Sequence, residues 1–332
     1  MSVSVILTIL NEGPHLIPLL DSLCAQTRPA DEIIICDGGS TDDTLAVLAA
    51  YADRLPLRVL IDPGANISRG RNVAIAAARY DIIAATDAGV RLDPHWLQRI
   101  IAPFDSDEFD GELVAGFFHS DPQTLFEHAL GATTLPHADE LHNARFLPSS
   151  RSVAFTKTAW RAVGGYPEWL DYSEDVVFDL QMKAISRDIA FVPTAIAHFR
   201  PRPSLRAFAR QYYLYARGDG KADLWSRIHF IRYFTYLVAA PVGIFVALQQ
   251  PWFWLLGLLA GLVYIRTPIR RLLRTWAELT LIQRLTALAL IPVIRVVGDV
   301  AKMLGYPVGR LWRWRNRNNP AIHWRPPHPT GA

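Results

Sequence analysis

The chain has 332 residues, 51% of them apolar and 20% charged. That is enough to build one large domain or two smaller ones, and it excludes a wholly disordered or acidic-tail protein. Two cysteines, Cys24 and Cys36, exclude a disulfide framework and a cysteine-only zinc site. The net charge of +3 hides an asymmetry: residues 225–332 hold 14 Lys and Arg against two acids, Glu278 and Asp299, so the front 224 residues are net acidic.

Residues 1–104 alternate short β-branched runs with helical stretches. Strands are predicted over 3–10, 32–37, 58–62 and 82–86, with helices over 16–26, 42–51 and 68–78. Alternation at this spacing means βαβ units and a mostly parallel sheet, an α/β architecture whose ligands bind beyond the carboxyl ends of the strands. Those ends carry Asn11-Glu12, Asp37-Gly38-Gly39-Ser40 and Asp87-Ala88-Gly89. No basic segment or small-residue cleavage site precedes the first strand, so the front half is expected to stay in the cytosol. Residues 105–224 are less regular, with strands predicted over 114–118 and 152–155 and helices over 157–163 and 174–186. Ser204 is a candidate cap for a helix running to about 217.

Residues 233–265 carry no charge. Gln249-Gln250-Pro251 divides them into arms of 16 and 14 residues. At 1.5 Å per residue each arm is about 24 Å or less, short of the ~30 Å hydrocarbon core. A single crossing would put most of the tail's bases outside, against the positive-inside rule. A hairpin over 231–265, with its tip at 249–251, keeps Arg227 and Arg232 on the side of Arg266, Arg270, Arg271 and Arg274. Over 279–304 a helix is predicted to lie in the interface, with Arg284, Ile291, Arg295 and Lys302 on one stripe. A basic, Trp-rich tail follows over 305–332. Seven of the ten Trp lie at or after Trp225. Bases interleaved with apolar runs and Trp favour membrane lipid over nucleic acid as the partner. The expected division is therefore a catalytic domain over 1–224 and a membrane-associated region over 225–332.

On local chemistry alone each polar cluster has a plain alternative. Asp37 to Thr44 reads as a tight turn with a helix cap, or as a carboxylate placed to take hydrogen bonds from a ribose or base edge. Gly64 to Asn72 reads as a capped helix with solvated Arg, or as a diphosphate-binding loop. Asp87 could coordinate Mg²⁺ or Mn²⁺ bridging a diphosphate. Glu174-Asp175 suits a helix N-terminus, or supplies a general base. Arg210 to Lys221 mixes aromatics and bases as a sugar–phosphate contact or a helix near a membrane would.

The ordered set is more specific. Val5-Ile6-Leu7-Thr8-Ile9-Leu10-Asn11-Glu12, Asp37-Gly38-Gly39-Ser40-Thr41-Asp42, Arg71-Asn72, Asp87, Gly164-Gly165-Tyr166 and Glu174-Asp175 together resemble a family 2 glycosyltransferase with the GT-A fold, over residues 1 to about 220. The resemblance implies that Asp37 binds the nucleotide with help from Thr8, Asn11 and Glu12. It puts Arg71 near the diphosphate and makes Asp87 the first acid of a DxD motif that holds the metal–diphosphate. Asp175, beside Glu174, becomes the base that takes the acceptor proton. By the same resemblance His198 would be a further metal or phosphate contact, with a structural histidine as the alternative. Gln211 to Arg217 falls where the family carries an acceptor and diphosphate motif, with a loose match. Gly89 replaces the second acid of DxD.

These features predict a membrane-attached, cytosol-facing inverting transferase. It moves a sugar from a nucleotide-sugar donor to a lipid-linked or membrane-proximal glycan, with a divalent cation. The competing readings are a nucleotidyltransferase on a similar nucleotide-binding sheet and a non-catalytic membrane scaffold.

Overall fold

The computed structural model describes residues 1–141 and 146–325. The last seven residues of the predicted tail lie outside them. The chain divides into two compact units.

The first unit comprises Met1–Asp121, Ala138–Arg200 and the residues from Asn319. Its strands are β1 (Val3–Ile9), β2 (Glu32–Asp37), β3 (Leu57–Ile61), β4 (Ile82–Ala85), β5 (Val90–Leu92), β6 (Leu113–Ser120), β7 (Val153–Thr156) and β8 (Ile189–Phe199). They form one sheet in the order β3-β2-β1-β4-β7-β6-β8-β5. The four front strands are mutually parallel, as their alternation with α1 (Ile17–Cys24), α2 (Thr44–Ala49) and α3 (Ile67–Ala77) predicts. β7 runs antiparallel to β4 and β6, and β8 pairs parallel with β6. The result is a mixed eight-stranded α/β sheet. Successive side chains of a strand point to opposite faces. Thus Val3, Val5, Leu7 and Ile9 join one buried cluster, while Ile6 joins the other with Ile34 and Cys36. The remaining helices here are α4 (Trp96–Ile101), α6 (Lys157–Val163) and α7 (Glu174–Ile185). β5, β8 and α4 were not predicted from the sequence.

The second unit comprises Pro122–His137 and Pro201–Asn318. It contains α5 (Leu125–Thr134), α8 (Leu205–Ala222), α9 (Ser226–Phe234), α10 (Ala240–Gln249), α11 (Phe253–Arg274) and α12 (Leu281–Arg315). The boundary by contacts thus falls near 200, ahead of α8, because α8 packs along α12. Glycines allow the two backbones to approach. A Cβ on Gly305 would lie 2.1 Å from the Tyr213 carbonyl oxygen, and one on Gly309 2.1 Å from that of Arg217.

The hairpin turns at residues 250–252, one residue beyond the expected tip at 249–251, and its arms are longer than the uncharged run. Ser226–Gln249 is one 24-residue helix through a π segment at Thr235–Ala239, and Phe253–Arg274 has 22 residues. At 1.5 Å per residue they reach about 36 and 33 Å, enough to cross a membrane. Extension into the Arg-bearing ends supplies the difference, since Arg can reach the interface from within a helix. Leu272 and Ala247 are buried, but most of their apolar residues are not core: Phe230, Leu237, Phe245, Leu248 and Leu255 are each at least 65% exposed.

The stripe on α12 is also corrected. Arg284, Arg295 and Lys302 point inward, stacked over the rings of Trp276, Tyr264 and Tyr212 at 5.1, 4.3 and 4.5 Å. Leu285, Val293, Val296, Val300, Leu304 and Val308 are exposed instead. The predicted interfacial helix and the start of the tail are one continuous 35-residue helix, opened by a Thr280–Gln283 capping box.

Candidate active site

At the end of β1, Asn11 adopts φ 54°, a left-handed conformation that asparagine tolerates. Its side-chain oxygen accepts from the Thr41 amide at 2.9 Å, and its own amide donates to Ser40 Oγ at 2.8 Å. Asp37 is fully buried, and both carboxylate oxygens accept from the Ser40 amide at 3.1 Å. It closes the turn, and the exposed polar residues here are Asn11, Thr41, Asp42 and Asp43. Thr8 packs against α3: a Cβ on Gly70 would lie 2.3 Å from its Oγ1. The Glu12 amide donates to Thr44 Oγ1 at 3.0 Å.

Arg71 is the centre of the site. Asn66 caps α3, and one turn later Arg71 is 2% exposed. Its Nη2 donates to Asp87 Oδ1 at 2.7 Å and its Nη1 to Glu174 Oε1 at 2.9 Å. The guanidinium lies 5.2 Å from the centre of the Tyr166 ring. The sequence places Arg71 beside a diphosphate; in the fold it is a buried clamp joining the end of β4 to the start of α7. Asn72 does the neighbouring work. Its oxygen accepts from the Tyr166 amide at 2.8 Å and Trp160 Nε1 at 3.1 Å, and its Nδ2 donates to the Tyr166 carbonyl at 2.8 Å. Gly165, at φ 78°, leaves room for this: a Cβ there would meet Asn72 Oδ1 at 2.8 Å. The Arg71-Asn72 and Gly164-Gly165-Tyr166 motifs are therefore one structure.

Before α7, Ser173 takes φ 63° without capping the helix through its side chain, a local strain of the kind found at functional sites. Glu174 follows, buried; burial first, and then the Asp175 charge, push its carboxyl up to about 7 against the pull of Arg71. Burial likewise raises Asp175, opposed by Arg71 and Arg151. One turn on, Asp179 is 1% exposed and raised well above the usual carboxylate range by burial and Asp175; its Oδ2 has no partner. Asp87, Glu174, Asp175 and Asp179 thus share the field of Arg71. A partly protonated carboxyl cluster around one fixed cation can accept a proton near neutral pH.

Sequence reasoning missed Asp179 and Arg151. The first was signalled by its i+4 spacing from Asp175. Arg151 Nε lies 3.8 Å from Asp87 Oδ2, and no motif announces it. His198, by contrast, makes no hydrogen bond or ion pair with Asp87. It pairs with Arg91 across the β5–β8 ladder, and its ring lies edge-on to His119 at 5.8 Å. Gln211, bonded to the Tyr215 hydroxyl at 2.7 Å, and Arg217 lie on α8 in the helical unit.

Among the described residues no group of three or more His, Cys, Asp or Glu converges to cage a metal. Asp87 does fit a shared site: it is 27% exposed, and Mg²⁺ is commonly held by one or two carboxylates with substrate phosphates and water. At Gly89, where the second acid of the motif would stand, a Cβ would meet nothing within 4 Å.

The mixed sheet, with its acids at adjacent strand ends, is that of a GT-A-type glycosyltransferase. A mannosyltransferase from Pyrobaculum calidifontis, PcManGT, in complex with GDP-Man and Mn²⁺, superposes with a TM-score of 0.57 at 19% identity, covering 93% of this chain and 87% of that one. S. aureus TarS 1-349 with UDP-GlcNAc gives 0.51 at 18% identity, over 95% and 92%. In sequence, the succinoglycan biosynthesis protein ExoA of Rhizobium meliloti (strain 1021) is 25% identical over 255 residues, 72% of this chain and 76% of the relative. Residues 4–163 match the model described as Glycosyl transferase family 2. Those residues form a family 2 glycosyltransferase domain, and the chain is a glycosyltransferase.

Proposed function

We propose that the protein is an inverting, membrane-attached glycosyltransferase that moves a sugar from a nucleotide-sugar donor to a lipid-linked or membrane-proximal glycan. The observation that carries this is the Arg71 clamp, which joins the strand-end acid Asp87 to the Glu174-Asp175 pair. The donor's nucleotide lies against Thr8, Asn11, Glu12 and the turn that Asp37 closes. An acceptor hydroxyl attacks the anomeric carbon from the face opposite the diphosphate. Asp175 takes its proton as the new C–O bond forms, and the nucleoside diphosphate leaves with the electrons of the broken bond. One acid suffices for a single displacement, whereas a retaining glycosidase uses two carboxylates about 5–5.5 Å apart.

Arg71 holds the two acids in register and is a positioning residue. Asp87 would hold a Mg²⁺ or Mn²⁺ ion, which when bound neutralises charge on the departing diphosphate. Gln211 and Arg217 serve the acceptor or its phosphate. The exposed apolar helices Ser226–Gln249 and Phe253–Arg274 support a membrane hairpin, with the Arg-rich ends and catalytic unit on the cytosolic side.

The test is a screen of nucleotide sugars with the full chain in detergent. Release of nucleoside diphosphate supports transfer, and release of pyrophosphate would restore the nucleotidyltransferase reading.

A further inference from the structure

The helical unit holds a half-open cavity of about 480 Å³, within the ~300–1,000 Å³ typical of small-molecule sites. Four cations line it, Arg266, Arg271, Arg295 and Lys302, against one carboxylate, Asp299. That carboxylate is already engaged. Its Oδ1 accepts from Arg232 Nε at 2.7 Å, and its Oδ2 from the Tyr264 and Tyr236 hydroxyls at 2.5 and 3.1 Å. Among the described residues, Arg266, Arg295 and Lys302 form no ion pair. Arg295 is held in place by other means. Its guanidinium stacks on Tyr264, and Nη2 lies 3.4 Å from the Tyr264 carbonyl. Pro268, four residues on, has no N–H to give that carbonyl. Arg295 Nε is buried without a partner. Lys302 is held over the ring of Tyr212.

Arg295 and Lys302 are half-buried, and cations drawn out of water without counter-charges are costly unless a ligand supplies the anion. We propose that this cavity binds the phosphate or diphosphate headgroup of a lipid, the anchor of the acceptor. The lipid source follows from position. The cations begin at Arg266, where the uncharged part of α11 ends, and the outward faces of α11 and α12 beside the cavity are apolar: Leu262, Val263, Val293 and Val296 are exposed. A phosphate at Arg295 and Lys302 would leave its hydrocarbon chain along surface that already suits lipid. The inference rests on the acceptor class proposed above, and it names the side chains that recognise the acceptor's anionic end.

The test uses the full chain in neutral detergent, with labelled farnesyl diphosphate as the probe and no nucleotide sugar present. Saturable binding is expected, weakened about tenfold or more in Arg295→Gln and in Lys302→Gln, the scale of one charged hydrogen bond. Arg295→Lys should retain part of it, and circular dichroism checks that each variant is folded. Inorganic pyrophosphate and phosphatidylglycerol serve as competitors. Equal competition by pyrophosphate would overturn the lipid assignment in favour of a free anion site. Equal competition by phosphatidylglycerol would reduce it to a bulk-lipid contact. Absent binding, or binding unchanged in folded variants, would overturn the site itself. The readout needs no turnover, so it can fail while glycosyl transfer stands, and stand if the proposed base fails.

Discussion

Arg71 Nη1 donates to Glu174 Oε1 at 2.9 Å across 103 residues of sequence, and both side chains are buried. This bond ties α3 to the N-terminus of α7. It brings together two motifs that the chain keeps far apart.

Removing the cation should be costly. Arg71→Met leaves Glu174 and Asp179 buried without their common counter-charge and Asp87 without its nearer partner. A loss of about 3–5 kcal/mol is expected, the scale of an orphaned buried charge. Thermal denaturation in detergent should show a large fall in Tm, and an unchanged Tm would remove Arg71 from the structural account.

The pH dependence of stability has a definite sign. Glu174 titrates near 7 in the fold, above the ~4.3 of an unfolded glutamate. The folded state binds more protons between those values, so this contribution is full below the unfolded value and fades as pH rises through about 7. Tm should therefore fall between about pH 5 and 8, and less so in Glu174→Gln. A wild-type Tm that rises over this window, with the variant parallel to it, would contradict the assignment.

Activity should move the other way. Asp175 must be ionised to accept a proton, and burial raises its pKa. The acid limb of the kcat profile should lie above the usual aspartate range, and a profile flat down to pH 4 would count against a buried carboxylate base.

Asp87 carries the metal prediction. Chelation with EDTA should stop transfer, and added Mn²⁺ or Mg²⁺ should restore the wild type but not Asp87→Ala. Activity of that variant near wild type in saturating cation would reject the role.

The helical seam gives a stability prediction remote from the chemistry. Gly305→Ala places a Cβ against the Tyr213 carbonyl, whereas at Gly257 a Cβ meets nothing within 4 Å. The first should cost about 1–3 kcal/mol, the scale of overpacking. The second should be neutral in the same denaturation assay.

The parallel half of the sheet was legible because β1, β2 and β4 are short apolar runs ending in polar turns. β8 was not: Pro193 interrupts it, and only Ala195 and Ala197 are buried along its eleven residues. β5 has three residues, too few for a period. The strand-end and helix-start acids could be read from spacing. The burial of Arg71 could not, since an arginine in a helix looks the same whether it faces solvent or two carboxylates. The stripe on α12 misled for a related reason. Its spacing fixes which residues share a face, but not whether that face meets lipid or the protein's own tyrosines.

Asp175, proposed as the base, is the residue on which the glycosyl transfer depends. Asp175→Asn nearly preserves shape and removes the titrating group, so the direct measurement is nucleoside diphosphate release with acceptor present, alongside nucleotide binding. Release should collapse while nucleotide affinity stays close to wild type. Release at the wild-type rate in the folded variant would contradict it.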